Sequence, residues 1–239
     1  ETRSLIDSGI VGPVNLILGF SYSDDTPAQG ASVCRADQLH VQVDLVRLLA
    51  GSSVTRVRLI APSTATAAGR QSHVAQFWFH SGAIASMTYG GTGRFNSDDW
   101  CGSRNRQGLP PAEASEIFFL PFAHRHAGPL LIGCEGGDLR PMSDGIRVYG
   151  DKGRCRVLPV RGADHSPMVA MTLELERYLS EGRPPLFDGA WARDTLSVCA
   201  ALRRSRDDDT EVWLPDASAD SSRLSVVHDE TTAASPRGR

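Results

Sequence analysis

His73-Val74-Ala75-Gln76-Phe77-Trp78-Phe79-His80-Ser81-Gly82-Ala83-Ile84-Ala85-Ser86-Met87-Thr88-Tyr89 decides the fold class. Two strand-length runs meet around Ser81-Gly82 with no helix-length stretch between them, which predicts an antiparallel hairpin. Upstream, Val54 to Ile60 reads as another strand. Further upstream, Val14, Leu16, Leu18, Phe20 and Tyr22 alternate with polar or small residues, the period of a half-buried strand. Downstream, Pro129 to Glu135, Ile146 to Tyr149 and Cys155 to Val160 are strand-like, and Glu211 to Leu214 gives a short last strand. Gly150-Asp151-Lys152-Gly153 is a tight-turn composition, placing Lys152 at a turn tip. Strands that follow one another without helices exclude a purely parallel, doubly wound sheet. The prediction is an α+β domain: one large, mostly antiparallel open sheet with helices on one face.

Four helices accompany these strands. Residues 2–8 end at Gly9, and Ala36 to Ala50 is closed by Gly51. Ser166-Pro167 opens a third in the favoured cap order, with Met168, Met171, Leu175, Tyr178 and Leu179 as its apolar face and Gly182 as its stop. The fourth runs from Asp188 to Arg206 on a stripe of Trp191, Thr195, Val198, Cys199 and Leu202. Residues 63–69 and 93–127 read as loops. Beyond Pro215 the chain turns to Asp, Ser, Ala and Thr, so 1–215 is expected to be one domain and 216–239 a disordered tail.

The 239 residues are 41% hydrophobic and 22% charged, enough to build a core without disulfides or metals. A net charge of −3 argues against an electrostatic grip on nucleic acid. No apolar run nears the ~20 residues that span a bilayer, and Glu1-Thr2-Arg3 has no signal-peptide shape, so no membrane partner is expected. Cys34, Cys101, Cys134, Cys155 and Cys199 are widely spaced with no Cys-x-x-Cys, which suggests a reduced, cytoplasmic chain without a zinc site. His124-x-His126 lacks a third ligand at metal spacing. Gly90-Gly91-Thr92-Gly93 lacks the third glycine of a dinucleotide turn, so no cofactor-binding residue is assigned.

The helix from Ala36 carries the most chemistry. At ~100° per residue, Asp37, His40, Asp44 and Arg47 share a sector of roughly 80°. A histidine between two carboxylates is a natural general acid/base, because the carboxylates hold the imidazole near a physiological pKa. The plainer reading makes Asp37 a cap, pairs Asp44 with Arg47 on the surface, and leaves His40 in water.

Ile6-Asp7-Ser8-Gly9-Ile10-Val11-Gly12-Pro13-Val14, Asp44-Leu45-Val46-Arg47-Leu48-Leu49-Ala50-Gly51, the Ser81-Gly82-Ala83 hairpin, Val148-Tyr149-Gly150-Asp151-Lys152-Gly153 and Glu181-Gly182-Arg183-Pro184-Pro185 occur in that order. Together they resemble the C-terminal domain of the glucose–fructose oxidoreductase/inositol dehydrogenase (Gfo/Idh/MocA) family over about residues 1–214. Ser86-Met87-Thr88-Tyr89-Gly90-Gly91, Cys134-Glu135-Gly136-Gly137-Asp138-Leu139-Arg140-Pro141 and Asp188-Gly189-Ala190-Trp191 are similar to members of the phthalate 4,5-cis-dihydrodiol dehydrogenase type.

The resemblance implies the substrate-binding half of an NAD(P)-dependent oxidoreductase. Hydride would pass between nicotinamide and a hydroxyl or cyclic diol substrate, such as an aromatic cis-dihydrodiol. NAD or NADP would be bound mainly by a Rossmann domain that is not in this chain, so the chain alone is expected to be inactive. Asp37, His40 and Asp44 would handle the hydroxyl proton, with Arg47 and Tyr89 as substrate contacts. A homo-oligomer through the sheet face is expected. Family members commonly carry Gln-x-x-His-x-x-Asp, and aligning on Gln38 and Asp44 puts Val41 where that histidine belongs, with His40 one position early. The alternative is a non-catalytic binding or assembly module derived from the same domain.

Overall fold

The computed structural model describes residues 1–22, 39–62, 72–90, 129–142, 145–150, 155–158 and 167–215. Among them, nine strands form one sheet: β1 (Val14–Tyr22), β2 (Val54–Ile60), β3 (His73–Phe79), β4 (Ile84–Gly90), β5 (Leu130–Cys134), β6 (Gly137–Met142), β7 (Gly145–Tyr149), β8 (Cys155–Leu158) and β9 (Val212–Trp213). Their order is β8-β7-β6-β5-β1-β4-β3-β2-β9. All pairings are antiparallel except β1 with β4, which run parallel from Leu16↔Ile84 to Tyr22↔Gly90. The expected open, mostly antiparallel sheet is therefore the observed one.

The helices are α1 (Thr2–Asp7), α2 (Leu39–Ala50), α3 (Pro167–Glu181) and α4 (Gly189–Asp207). Residues 36–38, which the sequence adds to the start of α2, lie outside the described residues, as do Lys152, His124, His126 and the whole of 216–239. Gly51 closes α2 with φ +60 and donates its N–H to Arg47 O at 2.9 Å, a conformation that a side chain would strain. Gly82 does the same service in the hairpin at φ +87.

Strand alternation sorts the side chains onto two faces. Ile17, Val57, Ala75, Phe77, Ala85, Met87, Ile132 and Leu139 are buried toward α2 and α4, and Val43, Val46, Val198 and Leu202 meet them from above. Among the described residues, no helix covers the other face. Leu18, Leu131, Ile84, Ile60 and Trp213 are exposed there, and Arg56 lies between the rings of Trp78 (4.1 Å) and Trp213 (5.1 Å) while pairing with Glu211 at 2.8 Å. That stack fastens the two-residue strand β9 to the sheet edge.

Two features depart from the sequence reading. β6 went unpredicted because Gly137, Asp138, Arg140 and Pro141 leave Leu139 as its one strongly inward apolar residue; its register against β5 and β7 supplies what propensity lacks. The apolar face assigned to α3 faces solvent: Met171, Leu175, Tyr178 and Leu179 are all exposed.

Among the described residues, no helix is long and apolar enough to cross a membrane, and no three metal-ligating side chains converge. Cys134 and Cys199 are buried.

Candidate functional site

One end of the sheet gathers the connections. β1 and β4 finish side by side there, β3 starts opposite Tyr89, β2 ends opposite Val74, and β5 begins beside Gly19. The stretches 23–38, 63–71 and 91–128 leave from this end, and α2 enters the described structure near it. The opposite end has the tight turns at Ser81-Gly82 and Glu135-Gly136. The strand ends from which long connections leave a rigid sheet are where binding residues usually collect.

The predicted polar stripe of α2 does not line that end as a unit. Asp44 accepts hydrogen bonds from Trp191 Nε1 (2.8 Å) and from the Thr195 hydroxyl, both on α4. Arg47, 8% exposed, donates to Trp191 O (2.9 Å), to Thr195 Oγ1 and to Asp194 Oδ2 (3.2 Å), with its guanidinium 4.1 Å from the Trp191 ring centroid. Burial lowers the Arg47 pKa, and Asp194 and Asp44 work against that shift. The proposed pairing of Asp44 with Arg47 on the surface is replaced by a shared lock onto Thr195. The proposed contacts of Arg47 with substrate and of Asp44 with a mobile proton meet side chains already engaged by α4. The lock exists because Asp188 caps α4 by accepting from Trp191 N at 2.8 Å, which sets the indole at the start of the helix.

His40, one turn before Asp44 on the same stripe, is exposed. Asp37 lies outside the described residues. Tyr89 is buried at the end of β4, its ring 5.4 Å from that of His73.

His73 is the residue that the sequence reading missed, together with Gln42. Gln42 is 1% exposed on the core side of α2, and its Oε1 lies 3.0 Å from His73 Nε2. Burial, and after it the charge of Arg206, lower the His73 pKa to about 4, so the ring is neutral at ordinary pH. With Gln42 Oε1 turned toward His73 Nε2, the carboxamide oxygen accepts, and the matching neutral tautomer is the one protonated on Nε2 with a lone pair on Nδ1. The Gln42 Nε2 is buried without a hydrogen-bond partner. Two signals were available in the sequence: a glutamine amid Leu39, Val43 and Val46, and a histidine in phase with Ala75 and Phe77.

The described residues do not fit a dinucleotide. The N-terminus of α4 is closed by the Asp188 carboxylate, which would repel a phosphate, and α1 has only six residues. What the site end offers is polar groups suited to a small hydroxylated molecule.

No protein-family model matches the chain. A curated relative, 1-carboxy-3-chloro-3,4-dihydroxycyclohexa-1,5-diene dehydrogenase of Comamonas testosteroni, is 28% identical over 248 residues, covering 84% of this chain and 61% of its own length. A dehydrogenase-like protein of Bordetella bronchiseptica RB50 superposes with a TM-score of 0.70 at 25% identity, over 89% of this chain and 65% of that one. The WlbA dehydrogenase of Bordetella pertussis, solved with NADH and UDP-GlcNAcA, has the same fold with a TM-score of 0.60 at 16% identity, over 90% and 60% of the two chains. The chain thus spans under two thirds of the length of each of these proteins. The region it matches is the C-terminal part of Gfo/Idh/MocA-type oxidoreductases.

Proposed function

We propose that this chain is the substrate-binding portion of an NAD(P)-dependent dehydrogenase that acts on a cyclic diol. The observation that carries the reading is the sheet end itself, where α2 sets buried Gln42 against His73 of β3, which lies beside Tyr89 of β4, while His40 is exposed on the other side of α2. The substrate class is taken from the Comamonas testosteroni relative, whose name specifies two hydroxyls on a carboxylated ring. The nicotinamide would be held by residues outside those described, so this chain's part is to bind and orient the diol and to move its hydroxyl proton. His40 is the candidate for proton transfer, being an exposed imidazole on the polar stripe of α2. Asp44 and Arg47 act one step removed, by fixing α2 on α4.

The test is the protein from its complete reading frame, assayed for NAD and NADP reduction with carboxylated cyclohexadiene cis-diols. Diol-dependent reduction that falls about 10²-fold or more in His40→Ala supports the reading. An unaltered rate in His40→Ala removes His40 from proton transfer. No reduction with any cyclic diol would favour the non-catalytic module.

A second copy of the chain is the occupant we propose for the open sheet face. Nine strands about 4.8 Å apart and about 17–20 Å long give a face of roughly 700–800 Å², close to one partner's ~800 Å² share of a standard interface.

A further inference from the structure

Gln42 and His73 hold two polar atoms that no described residue hydrogen-bonds. Gln42 Nε2 is a donor buried without a partner, which is costly to leave unsatisfied. No hydrogen bond to His73 Nδ1 is made by the described residues, and Gln42 Oε1 as the acceptor matches a ring protonated on Nε2. The arrangement is braced on each side. Tyr89 of β4 stacks on the ring, Gln42 of α2 fixes its tautomer, and Arg206 of α4, paired with Asp207, adds a positive charge nearby.

We propose that Gln42 and His73 form a hydroxyl-binding subsite, in which His73 Nδ1 accepts a hydroxyl proton and Gln42 Nε2 donates to an oxygen of the same ligand. A neutral acceptor beside a neutral donor matches an alcohol or a vicinal diol. The inference deepens the diol reading above and rests on it for the ligand class. His73 is thereby a positioning residue for substrate, and the proton-transfer role of His40 is separate.

The test uses the full 239-residue chain with ¹⁵N-labelled histidine, titrated with cis-1,2-cyclohexanediol and, as a control, with cyclohexane. The expected result is a ring protonated on Nε2 whose Nδ1 resonance shifts saturably with the diol and is unmoved by cyclohexane. Gln42→Leu should weaken that binding about tenfold, the loss of one hydrogen bond, and His73→Gln should remove it. His73→Gln also serves where Gln42→Leu does not fold, since His73 is the first residue of β3 and only partly buried.

A ring protonated on Nδ1, or an Nδ1 resonance unmoved by diol to about 100 mM, well past the millimolar range of a weak site, overturns the proposal. So does a folded Gln42→Leu that binds the diol like the parent. Diol binding of this kind in a protein that reduces no nicotinamide would keep the subsite and discard the dehydrogenase. Diol-dependent reduction with a silent His73 would do the reverse.

Discussion

Replacing Asp44 with alanine separates a fastening residue from a catalytic one. The substitution removes an acceptor for Trp191 Nε1 at 2.8 Å and for the Thr195 hydroxyl, and strips one of two nearby negative charges from Arg47. Hydrogen bonds to a charged group contribute about 1.5–3 kcal/mol each, and Asp44 is partly exposed, so the low end applies to both. The expected loss is about 3 kcal/mol. For a domain of this size each kcal/mol shifts the melting temperature by about 2–4 °C, giving a drop of roughly 6–12 °C. Asp44→Asn keeps an acceptor oxygen and should cost about 1 kcal/mol. Urea titrations followed by circular dichroism give both values, and a cycle with Thr195→Val should show coupling of about 1 kcal/mol because the two side chains touch. A change below about 0.5 kcal/mol in Asp44→Ala, with a loss of turnover in the complete protein, would return Asp44 to proton handling and refute the lock.

Three further outcomes follow from the same structure. Ser205, fully buried, accepts from Leu59 N at 3.0 Å and donates to Thr210 O, so Ser205→Ala should cost about 1–3 kcal/mol in urea titration, and a neutral result would mean the bridge is dispensable. His73 has a folded pKa of about 4 against 6.5 when free, so the unfolded chain binds the extra proton between those values. Stability should fall as pH drops from about 6.5 toward 4, by up to about 3 kcal/mol, level off below, and lose this dependence in His73→Phe; an unchanged profile in that variant would assign the loss to other groups. The chain should sediment as a dimer or larger at tens of micromolar, roughly, and Leu18→Glu with Leu131→Glu should dissociate it; a monomeric parent removes the sheet-face interface.

The sheet was legible where strands alternate strongly. Val14 to Tyr22, Val54 to Ile60 and the His73–Tyr89 hairpin announced themselves by period, and their ends agree with the structure to within a residue or so. β6 did not, because its hydrogen bonds to β5 and β7 are long-range facts that Gly137 and Pro141 conceal locally. The polar stripe of α2 was visible, yet periodicity reports only which residues share a side, and α4 turned out to occupy part of that side. Gln42 and His73 are 31 positions apart and meet only once α2 lies across the sheet. No helical or strand period could have paired them.

The central position of β1 sets an order of assembly. Leu18 pairs with Ser86, about 70 positions later, and with Leu131, about 110 positions later, so neither neighbour is local. β2, β3 and β4, by contrast, join through successive antiparallel contacts. During synthesis at about 5–20 residues per second, β1 would emerge several seconds before its first partner and several more before its second. The meander is thus the natural nucleus, and closing β1 between β4 and β5 is the step that converts two half-sheets into one. A ribosome-stalled chain ending before β5 would carry β1 with an open edge, a template for pairing with another nascent chain.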